Sequence, residues 1–344
     1  METDRIGVGL VGYGYWGPNL ARNFYMQKDC SLLAICDLSP GRAELAASNY
    51  PSVRVTDNFQ ELLDDPGIQL VLIATPVSTH YDFTKRALLA GKDVLVEKPL
   101  AATVAEAQEL VDLSDETGRI LFVDHTYLFT GAVKKILELL ESNELGDIKY
   151  IDSVRINLGL FSNDVNVLFD LAPHDLSLLC CFMKDDPVSV QALGAPVMEN
   201  DQEAIAYLHL VYPSEIIAHC HVSWLSPVKI RRTIIGGTEK MIVFDDNEIT
   251  EKVKIYDRGV EFRNNEMSQS DIYKMIVDYR MGDIVSPRLS TREALAEEAD
   301  YLVECIRTRQ RPFTDGRFGL RVVKILEAAQ TSLRNGGLSV EIDS

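Results

Sequence analysis

The stretch Ile6-Gly-Val-Gly-Leu-Val-Gly-Tyr-Gly-Tyr-Trp-Gly17 restricts the fold more than any other part of the chain. Ile6, Val8, Leu10 and Val11 make an apolar run too short for a helix and as apolar as a strand buried on both faces. Gly12, Gly14 and Gly17 follow in G-x-G-x-x-G spacing, and Pro18 suits the first turn of a helix expected over residues 18–27. Each glycine has a separate task. The first permits a tight turn, the second lets backbone approach a pyrophosphate, and the third lets helix and strand pack closely. Exposed N–H groups at the helix start, with Tyr15 and Trp16 inside the loop, would receive the phosphates.

Glycine clusters also make ordinary turns, so the context matters. A second apolar run over residues 31–36 ends in Asp37, about 20 residues past Gly17, where the fingerprint asks for an acid. A carboxylate there accepts hydrogen bonds from both adenosine ribose hydroxyls and repels a 2′-phosphate, which favours NAD over NADP. The plainer alternative is that Asp37 starts a turn before Ser39-Pro40, a good cap and first-turn pair.

A chain of 344 residues, 46% hydrophobic, has room for two domains with cores of their own. The formal net charge of -18 argues against nucleic acid or an anionic membrane as partner. No run approaches the roughly 20 apolar residues of a membrane span, and Met-Glu-Thr-Asp leads straight into the first strand, so a cytoplasmic protein is expected. The six cysteines lack a Cys-x-x-Cys pair and read as reduced core thiols. In a strand, His219 and His221 share one face while Cys220 faces the other, so no metal site is expected.

From residue 40 the pattern alternates. Residues 41–48 read as helix, 53–55 as strand, 57–63 as a helix capped by Asp57, and 70–74 as a buried strand. Strands follow over 93–96 and 120–123. This alternation implies a parallel sheet with helices on both faces, and ligands then sit beyond the carboxyl ends of the strands. The residues at those ends are Asp37, Thr75-Pro76, Glu97-Lys98-Pro99 and Asp124-His125, all expected in one crevice. Ser78 and Thr79 suit a turn and cap, while the strand-end position makes Thr75, Pro76 and His80 candidate cofactor contacts. A strand-end lysine beside a dinucleotide is placed to steady an oxyanion.

The combination of Gly12-x-Gly14-x-x-Gly17, Asp37, Ala74-Thr75-Pro76 and Glu97-Lys98-Pro99-Leu100 resembles the Gfo/Idh/MocA oxidoreductases, the family of glucose-fructose oxidoreductase and inositol dehydrogenase. The likeness continues through Asp170-Leu-Ala-Pro-His174-Asp to the closing helices. It implies an NAD-binding Rossmann domain over 1–126 and, over 127–344, an α+β domain with a large, open, mostly antiparallel sheet. That second domain would wall the substrate site and join subunits into a homodimer or homotetramer. The family brings together a lysine, an aspartate and a histidine, matched here by Lys98, Asp170 and His174. Gly-Tyr-Trp-Gly-Pro-Asn is similar to members acting on nucleotide-linked or amino sugars, such as UDP-N-acetylglucosamine 3-dehydrogenases. Phe169 departs from the tryptophan such members often carry there.

The second half reads as α+β on its own residues. A helix is expected over 131–142, a strand over 148–158 with Arg155 and Asn157, a substrate-side loop over 159–167, and a helix from Pro173 to Met183. Strands over 188–192, 204–211, 215–224, 229–235, 240–244 and 253–256 are mostly hairpin-spaced, with Gly236-Gly237 as a tight-turn signal. Residues 257–270 look loose; helices over 291–308, capped by Ser290 or Thr291, and 318–333, stopped by Gly336-Gly337, close the chain.

Oxidising a secondary alcohol with NAD needs a base, a positive group near the alkoxide and a fixed approach to the nicotinamide. His174 is the candidate base, placed by the expected helix start beside a positive dipole end, and Asp170 would orient it or bind a sugar hydroxyl. Taken without the family, the residues favour Asp170 as a cap and His174 as a first-turn residue, and the resemblance reverses that weighting. Tyr127, Arg155 and Asn157 are the next substrate candidates, and an arginine in the crevice suits a carboxylate or phosphate. Trp224 and Lys229 are weaker ones. The leading expectation is an NAD-dependent sugar dehydrogenase or ketosugar reductase. An NAD-dependent glycosidase of the same fold and a non-catalytic dinucleotide-sensing regulator are the alternatives; Lys98 and His174 count against the regulator.

Overall fold

Uniformly apolar strands can pair only where both faces are covered, and the first 124 residues supply such strands separated by helices. The computed structural model describes residues 5–159, 164–196, 202–213, 216–262 and 277–343. In it β1 (Ile6–Val11), α1 (Gly17–Met26), β2 (Cys30–Cys36), α2 (Pro40–Asn49), β3 (Arg54–Thr56), α3 (Gln60–Asp64), β4 (Leu70–Ile73), α4 (Val77–Leu89), β5 (Asp93–Glu97), α5 (Val104–Thr117) and β6 (Leu121–Asp124) follow in turn. The strands form a parallel sheet in the order β3-β2-β1-β4-β5-β6. Every residue of β1 and β4 is buried, so neither strand shows alternation. The order reverses between β1 and β4, and there the diverging loops open a crevice at the carboxyl ends.

The chain continues with a 3₁₀ turn (Thr126–Phe129), α6 (Gly131–Glu141), β7 (Ile148–Ile156) and α7 (Val167–Phe182). Then come β8 (Ser189–Pro196), β9 (Glu203–Val211), β10 (Ile217–Ser223), β11 (Ile230–Gly237), β12 (Met241–Asp245), β13 (Val253–Phe262) and β14 (Val277–Val285). It closes with α8 (Ala294–Thr308), α9 (Gly316–Arg334) and β15 (Val340–Glu341). Two compact units result. The first holds Met1–Thr130, Ser162–Cys180 and Arg292–Ala328, and the second Gly131–Phe161, Cys181–Thr291 and Ala329–Ser344.

Within the first unit α8 lies along α1, tied by Arg22–Glu293, Gln27–Asp300 and Arg307–Asp29. Burial pushes the Cys30 thiol up to about 12 and the Cys36 thiol to about 11, which leaves both as inert core groups. The second unit is a nine-stranded sheet, β14-β13-β12-β11-β7-β10-β9-β8-β15, antiparallel at each pairing except β7 with β10. Its strands alternate. In β9, Ala204, Ala206, Leu208 and Leu210 are buried, whereas Tyr207 and Val211 are exposed.

Several local expectations are corrected. Helix α7 starts at Val167 and runs through Pro173, so His174 is in its interior and not at its positive end. The hairpin between β11 and β12 turns at residues 238–240; Gly236 is required instead because a Cβ there would lie 2.1 Å from the Tyr150 ring. Residues 257–262 belong to β13, paired with a strand, β14, that the sequence did not announce; residues 263–270 lie outside the described residues, as do 160–163 of the expected loop. Neither Ser290 nor Thr291 caps α8, whose N-cap is Glu293, and Asn58 rather than Asp57 bonds the start of α3. Cys220 is buried between half-buried His219 and His221, as strand alternation requires. Among the described residues no helix is long and apolar enough to cross a membrane.

Candidate active site

The glycine loop leaves β1 with Gly12 at φ +92°, a conformation costly for any residue with a Cβ. A Cβ at Gly12 would lie 2.4 Å from the Ala74 carbonyl oxygen, and one at Gly17 would lie 2.1 Å from that of Gly12. At Gly14 a Cβ would meet only the Arg42 guanidinium, at 3.4 Å. The space over Gly14 is therefore an open cradle of backbone with a cation at its rim. Gly12→Ala should cost about 3 kcal/mol in folding stability, from overpacking plus strain, and abolish NADH binding. Chemical denaturation and NADH fluorescence titration read both, and wild-type values in both would refute this account of the loop.

Asp37, buried at the end of β2, accepts Tyr13 N–H at 2.6 Å and Ser39 N–H at 2.8 Å. These bonds use half of the carboxylate's roughly four acceptor positions. Enough remain for two ribose hydroxyls, and the residues present fit a dinucleotide. Tyr15 is almost fully exposed, and the Trp16 indole N–H donates to Asp124 at 2.9 Å.

At the β4 end, Thr75 and Pro76 lead into α4, where the Thr79 hydroxyl bonds the Thr75 hydroxyl and the Pro76 carbonyl. His80 is buried, its ring nitrogens 2.8 Å from the Pro99 carbonyl and 2.9 Å from the Thr75 carbonyl. It clamps the β4 and β5 ends together, and burial pushes its imidazole down from the ordinary value. Ser78, just before it, donates to Asp164 at 2.9 Å.

Beyond β5, Lys98 Nζ donates to the Asp170 carbonyl at 2.7 Å and lies 3.7 Å from Asp170 Oδ1. Asn166 caps α7 by accepting the Phe169 N–H. Asp170 is in the first turn and His174 one turn later, on the same helix face. The Tyr127 ring stands 5.0 Å from the His174 ring. Lys98, Asp170, His174 and Tyr127 thus meet inside the first unit, whose sheet carries the glycine loop. Arg155 and Asn157 belong to the second unit. Arg155 is buried on the same face of β7 as Ile151 and Ser153, and Asn157 is half-buried just past the strand.

The 3-2-1-4-5-6 strand order, the open cradle at Gly14 and the acid at the β2 end define a dinucleotide-binding protein of Rossmann type. Residues 6–125 match the family model described as the GFO/IDH/MocA oxidoreductase family, NAD-binding Rossmann fold, and residues 133–243 match the GFO/IDH/MocA C-terminal domain. The chain belongs to the GFO/IDH/MocA oxidoreductase family. It is 26% identical to scyllo-inositol 2-dehydrogenase (NAD(+)) of Bacillus subtilis, over 98% of this chain and 95% of that one. It is likewise 26% identical to UDP-N-acetylglucosamine 3-dehydrogenase of Acidithiobacillus ferrooxidans, over 94% of each. The fold is that of GenD2 from gentamicin A biosynthesis, solved in complex with NAD, at a TM-score of 0.82 and 22% identity over 99% of this chain and 97% of that one. The protein is an NAD-binding enzyme of this family.

Two features escaped the sequence reading. Arg42, five residues beyond Asp37, carries no motif that marks it, and only the fold brings its guanidinium over Gly14. Glu298 looks like a surface residue of α8, yet it falls three residues after Leu295 and four before Leu302, in the apolar stripe, and is fully buried.

Proposed function

We propose that the protein transfers hydride between NAD and a secondary hydroxyl, or the matching ketone, of a sugar or polyol, with nucleotide-linked sugars the first substrates to try. The observation that carries this reading is the meeting of Lys98 with Asp170 one turn before His174, in the unit that holds the glycine loop. When bound, the nicotinamide supplies the hydride acceptor. Gly12, Gly14 and Gly17 hold its phosphates, with Tyr15 and Trp16 beside them; Asp37 takes the ribose, and the Thr75-Pro76 and Glu97-Lys98 ends border the rest. The His174 imidazole takes the hydroxyl proton as the carbonyl forms, and the Lys98 ammonium stabilises the oxygen while it carries negative charge. Asp170 fixes the direction of Lys98 through the carbonyl bond. Tyr127, Arg155 and Asn157 contact the sugar.

Residues 1–126 serve the cofactor, and 127–344 supply Asp170, His174, the sugar wall and the subunit interface. The exposed face of the second sheet supports self-association. Leu193, Tyr207 and His221 stand side by side across β8, β9 and β10, with Ile217 and Val211 paired beside them. Sedimentation should show a dimer or tetramer, which Tyr207→Glu dissociates; a wild-type monomer would remove the interface from the proposal.

Absorbance at the NADH band during incubation with NAD and a panel of inositols, free sugars and nucleotide sugars tests the reaction. A net rise with one member of the panel supports the dehydrogenase. Aglycone release without net NADH would replace it with the glycosidase.

A further inference from the structure

Three acidic side chains meet in the interior of the first unit, beneath the crevice. Glu97 ends β5, Asp124 ends β6 as its register partner, and Glu298 reaches in from α8. Asp124 is 2% exposed and Glu298 fully buried. Around Asp124 the donors are the Trp16 indole N–H at 2.9 Å, the Thr126 N–H at 3.1 Å and the Thr126 hydroxyl. Glu97 accepts the Lys98 N–H at 3.2 Å through Oε2. Its Oε1 and both oxygens of Glu298 are buried without a hydrogen-bond partner, the Thr126 hydroxyl beside Glu298 being directed to Asp124.

Three ionised carboxylates cannot share this site, because each repels the others, Asp124 and Glu298 are out of water and Glu97 is only half-buried. The donors decide which one keeps its charge. Asp124 has three and is the acceptor-only carboxylate, while the donorless oxygens of Glu97 and Glu298 carry protons and donate to it. Burial and the charge of Asp124 accordingly hold both glutamates well above the usual carboxylate range. Lys98 and His125 are the other titratable groups facing the cluster.

Trp16 is the residue at the head of α1, where a side chain ordinarily caps the helix by bonding its own first turn, and it makes no such bond. Its indole N–H is spent on Asp124 at the end of β6, three strands along the sheet from the β1 strand that carries the loop. We propose that Asp124 is the positioning residue of the dinucleotide loop, its buried carboxylate anchoring Trp16 so that the loop is preset to receive the cofactor. Glu97 and Glu298, as neutral acids, replace the water that this carboxylate has lost. The proposal rests on the cofactor assignment and not on the roles given to Lys98, Asp170 and His174.

A double-mutant cycle on NADH affinity tests the anchor. Asp124→Asn and Trp16→Phe should each weaken NADH binding about 10-fold, the size of one hydrogen bond to a charged group. The double variant should bind as the single ones do. Additive losses, or an unchanged Kd in Asp124→Asn, overturn the proposal. Emission gives a second readout that general destabilisation would not move, since the chain has only two tryptophans. In a Trp224→Phe background, Asp124→Asn should shift the emission of Trp16, and an unmoved spectrum is evidence against the anchor. Should Asp124→Asn fail to fold, Trp16→Phe alone decides, because it leaves the buried acids in place; wild-type affinity there sinks the idea. Wild-type NADH binding in the same titration tests the cofactor assignment separately, so the two failures are told apart.

Discussion

Replacing Lys98 by methionine is expected to lower kcat by about 100- to 1,000-fold, the range for removing one preorganised charge from a developing oxyanion. Methionine keeps the apolar stem. Asp170, whose side chain is one-third exposed, loses its ammonium partner to water, so folding stability should change by no more than about 1 kcal/mol. The loss belongs in kcat because the charge on oxygen exists only as the carbinol hydrogen departs. A variant with unchanged kcat and raised KM would make Lys98 a binding group alone. His174→Ala should give a loss of the same order. The two effects should not multiply, since base and cation act on one oxygen.

The second large effect concerns stability against pH, and its source is His125. The side chain is 1% exposed, neither ring nitrogen has a partner, and the ring packs against Phe318 with centroids 5.3 Å apart. Burial pushes its pKa down to about 4, with Asp124 opposing and Lys98 assisting. In the unfolded chain the imidazole protonates near pH 6.5. The folded state therefore binds fewer protons between pH 6.5 and 4, and the contribution is complete above that window and lost as pH falls through it. A shift of this size corresponds to about 3 kcal/mol. Glu97 and Glu298, raised in the fold, act with opposite sign: their contribution is present at low pH and fades as pH rises. Comparing His125→Phe with wild type cancels them. By urea denaturation the variant should gain about 3 kcal/mol relative to wild type on going from pH 7 to pH 4. Parallel curves for the two proteins would show that His125 is not the sensitive group.

Legibility in the sequence followed the range of the interactions. Gly12, Gly14, Gly17 and Asp37 were readable because a turn of fixed geometry and a strand of fixed length set their spacing, and both are local. Lys98 was readable as a strand-end residue only once the parallel sheet was assumed. The start of α7 was misplaced because Pro173 ordinarily lies in a first turn, and here the helix is nucleated earlier by Asn166. The dipole argument for His174 fails with it. What survives is simpler: Asp170 and His174 are one turn apart in a continuous helix. Gly236-Gly237 misled for a related reason, since close packing beneath Tyr150 and Leu145, and not the turn, excludes a Cβ there.

By itself the sequence determined the doubly wound sheet and the dinucleotide loop, because periodicity and spacing are properties of neighbours along the chain; Lys98, Asp170 and His174 were marked as a set only by the resemblance to the oxidoreductase family. Only the tertiary structure decided that α8 and much of α9 join the Rossmann unit, that His80 is a buried clamp, that Glu298 is an interior acid and that Trp16 is bound to Asp124. Those outcomes depend on which groups meet across intervening chain, 19 residues on for His80 and Pro99 and 108 for Trp16 and Asp124, and on the low dielectric of the place where they meet.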